Sequence, residues 1–84
     1  MTANPVLLLV DDDAEIRDQM KWALASDYQV LEASDRLAAL ALVRNALPPL
    51  VLLDLGLPPD VDGASEGLAI LREALKINPI AKII

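Results

Sequence analysis

Two short apolar blocks set the limits on this chain. Val6–Val10 and Leu50–Leu53 are unbroken runs of Val and Leu, and each is followed at once by aspartate. Blocks of this length without alternation suit strands buried on both faces, as in a parallel sheet covered by helices. Between and after them lie segments of helical character. The first runs from about Ala14 to Ala25, with Ile16, Met20, Ala23 and Leu24 on one face and Arg17, Asp18 and Lys21 turned away. Asp12 or Asp13 can cap it, and Asp12 with Glu15 has capping-box spacing. Ser26–Asp27 breaks it, and Tyr28–Ala33 reads as a less apolar strand suited to a sheet edge.

The alternation continues. Ser34 or Asp35 caps a second helix, about Arg36–Ala46, whose expected inner face is Leu37, Leu40, Ala41 and Val43. Pro48–Pro49 stops it ahead of the third strand. A loop with Gly56, Pro58, Pro59 and Gly63, acidic at Asp60 and Asp62, leads to a third helix. That helix starts at Ser65 or Glu66 and runs to about Ile77, with Leu68, Leu71, Ala74 and Leu75 inward. Ala81–Ile84 has the character of a fourth strand. The order βαβαβαβ predicts an α/β fold, a doubly wound parallel sheet joined by right-handed crossovers.

Composition removes several kinds of chemistry. The chain of 84 residues has no Cys and no His, so thiol catalysis, His-based triads and Cys/His zinc sites are excluded within it. Seven Lys plus Arg against thirteen Asp plus Glu leave a net charge of −6, which disfavours direct nucleic-acid binding. No apolar run approaches the roughly 18–20 residues of a membrane span, and Met1–Val10 lacks signal-peptide character. A reducing, cytoplasmic setting is expected.

The carboxylates at the strand ends carry the chemistry. Ligands of open α/β sheets sit beyond the carboxyl ends of the strands. Asp11, Asp12 and Asp13 follow the first strand and Asp54 ends the third, so adjacent strands would bring them to one pocket. Two carboxylates about 4 Å apart repel by roughly 4 kcal/mol at an effective dielectric near 20. A hard divalent cation reverses that, and Mg²⁺ typically takes one or two carboxylates together with phosphate oxygens. A carboxylate can also act as nucleophile to form an acyl phosphate, and Asp54 is the candidate.

Leu8-Leu9-Val10-Asp11-Asp12-Asp13, Leu52-Leu53-Asp54-Leu55-Gly56-Leu57-Pro58 and Asp62-Gly63 resemble a response-regulator receiver domain of two-component signalling. The resemblance implies a flavodoxin-like sheet of order 2-1-3-4. It implies that residues 1–84 form the N-terminal part of a single receiver domain, ending after the start of strand four. The fourth helix, the fifth strand with its Lys and the fifth helix lie outside this sequence. It also implies roles. Asp11 and Asp12 hold Mg²⁺, Asp12 directly and Asp11 largely through water. Asp54 is the phosphoacceptor and a metal ligand, the Gly56 backbone carbonyl completes the metal site, and Pro58 shapes the loop. Asp13 matches no catalytic position and reads as a helix cap. The partners implied are a sensor histidine kinase and an output domain in the parent chain.

The loop from Asp54 to Leu68 and Lys21-Trp22-Ala23-Leu24 further resemble PEP-CTERM-box type response regulators of the sigma-54 activator group. That implies transcriptional output through a DNA-binding part elsewhere. An open edge at the fourth strand predicts self-association.

Two rival readings exist. Asp11-x-Asp13 literally satisfies the pattern of haloacid-dehalogenase-type phosphatases and phosphotransferases, though Asp54 would then have no role. A pseudo-receiver would keep the acidic residues without chemistry. Gly63-Ala64-Ser65-Glu66-Gly67 matches a nucleophile-elbow pattern, but no strand precedes it and no His exists to partner it, so Ser65 reads as a helix cap. Trp22 and Met20 read as packing residues.

Overall fold

Both inner strands are made only of Val and Leu, and their burial organises the rest. The computed structural model describes residues 4–54, 57 and 64–84. β1 (Val6–Val10) lies between β2 (Gln29–Ala33) and β3 (Leu50–Leu53), and β4 (Lys82–Ile83) pairs with the far side of β3. All pairings are parallel and the order is β2-β1-β3-β4. Leu7, Leu8, Leu9 and Val10 are all buried, as a strand with neighbours on both sides and layers on both faces must be.

Alternation along the strands sorts the helices. Leu8, Val10, Ala33 and Val51 face one way and pack with α2 (Arg36–Ala46) and α3 (Ser65–Ile77). Ala39, Leu40 and Val43 are the buried residues of α2, and Gly67, Ile70 and Ala74 those of α3. Buried Leu57 joins the same cluster. The opposite face, with Leu9 and Leu52, meets Ile16 and Met20 of α1 (Ala14–Leu24). No residue of α1 is fully buried, so this layer is thin. Among the described residues no helix is long and apolar enough to cross a membrane.

The expected boundaries hold closely. α1 ends at Leu24, one residue early, because the Asp27 and Tyr28 amides turn back to the Leu24 carbonyl. β2 therefore opens at Gln29. β4 covers Lys82–Ile83, although the Ile84 amide still donates to Val51 and its carbonyl accepts from Leu53.

Caps resolve the alternatives. Asp13, not Asp12, caps α1, its Oδ1 accepting from the Glu15 and Ile16 amides at 2.9 and 3.2 Å. Asp35 caps α2 through the Ala38 amide at 2.9 Å. Ser65 does not cap α3. It is the first helical residue, and Ala64 holds the cap position without a side-chain bond.

Helix faces differ from expectation in several places. Leu37 is 80% exposed and Ala41 is exposed, while Ala39 is buried. Residues 37–43 are all apolar, so periodicity cannot choose a face, and packing on the sheet and α3 selects the stripe at 39, 40 and 43. In α3 the buried stripe is 67, 70 and 74, which leaves Leu68 and Leu75 partly exposed. Trp22 is not a packing residue: it lies 79% exposed on the outer side of α1, beside Asp18, Lys21 and Ala25. Arg17, expected to face solvent, turns inward to Glu32 of β2.

Candidate functional site

The site is made by two strands ending together. Val10 and Leu53 are partners in the β1–β3 register, so Asp11 and Asp54 leave the sheet side by side. Backbone bonds fix both exits: the Asp54 amide donates to the Val10 carbonyl at 2.9 Å, and the Asp11 amide to the Ala33 carbonyl at 3.1 Å. The turn after β1 adds Asp12. One carboxylate oxygen from each of Asp11, Asp12 and Asp54 lies within 4.8 Å of the others. Asp11 and Asp54 are half-buried and Asp12 is exposed. Among the described residues no other group of three potential metal-ligating side chains converges in this way.

The turn is held from two directions. Asp11 Oδ1 accepts from the Asp13 amide at 2.9 Å, and the Arg17 Nη1 donates to the Asp11 carbonyl at 2.7 Å. Asp13 is committed to the helix cap, so of the acidic triplet only Asp11 and Asp12 turn to the cluster. Beside it an open groove of about 440 Å³ is bordered by Leu9, Ile16, Met20, Leu52 and Ile84, with Asp11 and Asp54 at its rim.

The donor set fits a hard divalent cation. Among the described residues it offers three carboxylates, spaced so that one ion could touch all three, and partly open to water. Mg²⁺ favours this combination because it binds few protein oxygens and keeps several waters. Gly56 and Pro58, the other expected contributors, lie outside the described residues, as do Asp60, Asp62 and Gly63.

Sequence reasoning missed Arg17. The available signal was Glu32, an acidic residue on the α1 side of a strand whose neighbour on that side is Val30. Arg17 and Lys21 stand one helical turn apart and both reach it, at 3.6 and 3.4 Å.

The family model of the response regulator receiver domain matches residues 7–84. This chain belongs to that family. The receiver is 37% identical over 81 residues to a protein-glutamate methylesterase/protein-glutamine glutaminase of group 3 operon from Cereibacter sphaeroides, covering 93% of this chain and 21% of that protein. It thus spans about a fifth of the length of the curated relatives it matches first. A CheY-like response regulator receiver domain protein from Methanospirillum hungatei superposes with a TM-score of 0.85 at 33% identity, over 96% of this chain and 62% of that one. A Burkholderia pseudomallei response regulator, solved with a phosphorylated aspartic acid, calcium ion and citrate, gives 0.83 at 23% identity over 95% and 45%, a likeness of fold.

Proposed function

We propose that this receiver accepts a phosphoryl group on Asp54 from a sensor histidine kinase, with Mg²⁺ held by Asp11, Asp12, Asp54 and the Gly56 carbonyl. The observation that carries the reading is the convergence of the Asp11, Asp12 and Asp54 oxygens at the ends of neighbouring strands. Asp12, the exposed member, is the direct ligand, and Asp11, pinned by the Asp13 amide, acts largely through water. The resemblance gives Pro58 the role of shaping the loop.

The chemistry follows from Asp54. A carboxylate lone pair forms the O–P bond while the P–N bond to the donor imidazole breaks, and the departing imidazole takes its proton from solvent. When bound, the cation offsets the negative charge gathered on three carboxylates and the phosphoryl oxygens. β1 and β3 hold Asp54 against Asp11 so that little reorganisation is needed on transfer. The added charge then biases a two-state rearrangement that an output domain reads.

The resemblance to sigma-54 activators points to a transcriptional output in the cytoplasm. The methylesterase relative supports a second reading, in which the same receiver governs an attached enzyme. A dehalogenase-type phosphatase is disfavoured because Asp13, its second aspartate, is engaged in capping α1.

Intact-mass spectrometry after incubation with acetyl phosphate and Mg²⁺ tests the proposal. A gain of one phosphoryl group that disappears in Asp54→Asn and in EDTA is expected. No gain with any small phosphodonor would favour the pseudo-receiver, and multiple-turnover phosphomonoester hydrolysis lost in Asp11→Asn would favour the phosphatase.

A further inference from the structure

We propose that Arg17 is a positioning residue: by holding the Asp11 carbonyl it sets the direction in which Asp12 leaves the β1–α1 turn, and so the cation affinity of the site. The inference rests on the receiver reading above and deepens it.

Arg17 belongs to α1, yet its side chain is only 18% exposed. A guanidinium loses hydration when so placed, and something must hold it there. Two groups do. Nη1 donates to the Asp11 carbonyl at 2.7 Å, and Nε lies 3.6 Å from Glu32 Oε1. Nε is wholly buried and has no hydrogen-bond partner among the described residues, so Glu32 holds it by charge. Lys21 meets the other Glu32 oxygen at 3.4 Å and steadies the acceptor.

The geometry at Asp11 gives this clamp a consequence for the cluster. The carbonyl that Arg17 grips belongs to the peptide joining Asp11 to Asp12. With that plane fixed, and with Asp11 Oδ1 tied to the Asp13 amide at 2.9 Å, the turn has little freedom left. Both carboxylates are thereby presented towards Asp54 before any ion arrives. Groups that orient metal ligands from outside the coordination shell typically alter affinity by about 10–100-fold.

The sign of the effect separates positioning from simple charge. Arg17 is a cation near a cation site. If charge were its whole contribution, removing it would tighten metal binding. A positioning role predicts the opposite.

The test uses the full chain and its Arg17→Met, Arg17→Lys and Glu32→Gln variants, each checked for a cooperative thermal transition. Free Mn²⁺ is followed by electron paramagnetic resonance, and exchange of the Asp13 amide by NMR without metal. Arg17→Met keeps most of the apolar stem. It is expected to weaken Mn²⁺ binding about 10-fold and to speed Asp13 amide exchange. The Mg²⁺ concentration giving half the maximal acetyl phosphate reaction should rise in step with the Mn²⁺ affinity lost. Arg17→Lys should recover part of the affinity. Glu32→Gln should show a smaller loss, and the Met/Gln double variant should bind no more weakly than Arg17→Met, since the two residues act as a unit.

Unchanged or tighter Mn²⁺ binding in Arg17→Met overturns the proposal. Should Arg17→Met not fold, unchanged affinity in both Arg17→Lys and Glu32→Gln overturns it equally. A parent chain that binds Mn²⁺ but takes no phosphoryl group would end the phosphoacceptor reading alone, while loss of affinity in Arg17→Met would still uphold the clamp.

Discussion

Asp12→Asn should stabilise the chain when no divalent cation is bound. In the cluster, oxygens of Asp11, Asp12 and Asp54 lie within 4.8 Å of one another. Asp12 is exposed, so the dielectric of water is the proper limit, and each pair at that distance repels by about 0.9 kcal/mol. Neutralising Asp12 removes its repulsion with both partners, a gain of about 1.7 kcal/mol. Against this, Asp12 precedes the positive end of α1, a favourable placement of about 0.5 kcal/mol that is lost. Repulsion wins by about 1 kcal/mol, or about 4–8 °C in Tm for a chain of this size. Thermal melts in EDTA at low ionic strength measure it. The gain should fade in 1 M NaCl, where the screening length is about 3 Å. In Mg²⁺ the order should reverse, because the parent gains from binding and the variant has lost a ligand. An Asp12→Asn chain no more stable than the parent in EDTA would refute the reasoning, since the carboxylates would then not be repelling.

Other expectations follow from the packing and caps. Leu47 ends α2 at φ 46° and is largely exposed, so Leu47→Gly should raise stability by about 0.5–1 kcal/mol in denaturant titration; a loss would show that its side chain packs usefully. Asp35→Ala removes the oxygen that accepts the Ala38 amide and should cost about 1 kcal/mol by the same titration. Ile70→Ala opens the contact between α3 and the sheet at a fully buried position and should cost about 2–5 kcal/mol.

How far the structure could be read in advance varied with the residues. Val6–Val10 and Leu50–Leu53 have no plausible place except between two layers, so the buried parallel strands were legible, while their order came from the resemblance to receiver domains. Asp11, Asp12 and Asp54 followed, since parallel neighbours must end on the same side of the sheet. The helix faces were harder. Every position from Leu37 to Val43 is apolar, and only packing against the sheet and α3 decides that Leu37 points outward. Trp22 misled for a related reason: its size suggests burial, but it sits on the outer side of a helix that buries no residue fully. Arg17 could not be placed from helical period alone, because its inward turn depends on Glu32, a partner on another element.

The central claim is that one divalent ion is gripped where β1 and β3 end. Paramagnetic line broadening by substoichiometric Mn²⁺, read on backbone amides by NMR, tests it most directly. Signals of Asp11, Asp12, Leu53 and Asp54 should vanish first, and Asp54→Asn should raise the Mn²⁺ needed. Broadening that begins instead at Asp27, Asp35 or Glu73, or spreads evenly over the acidic surface, would contradict the account.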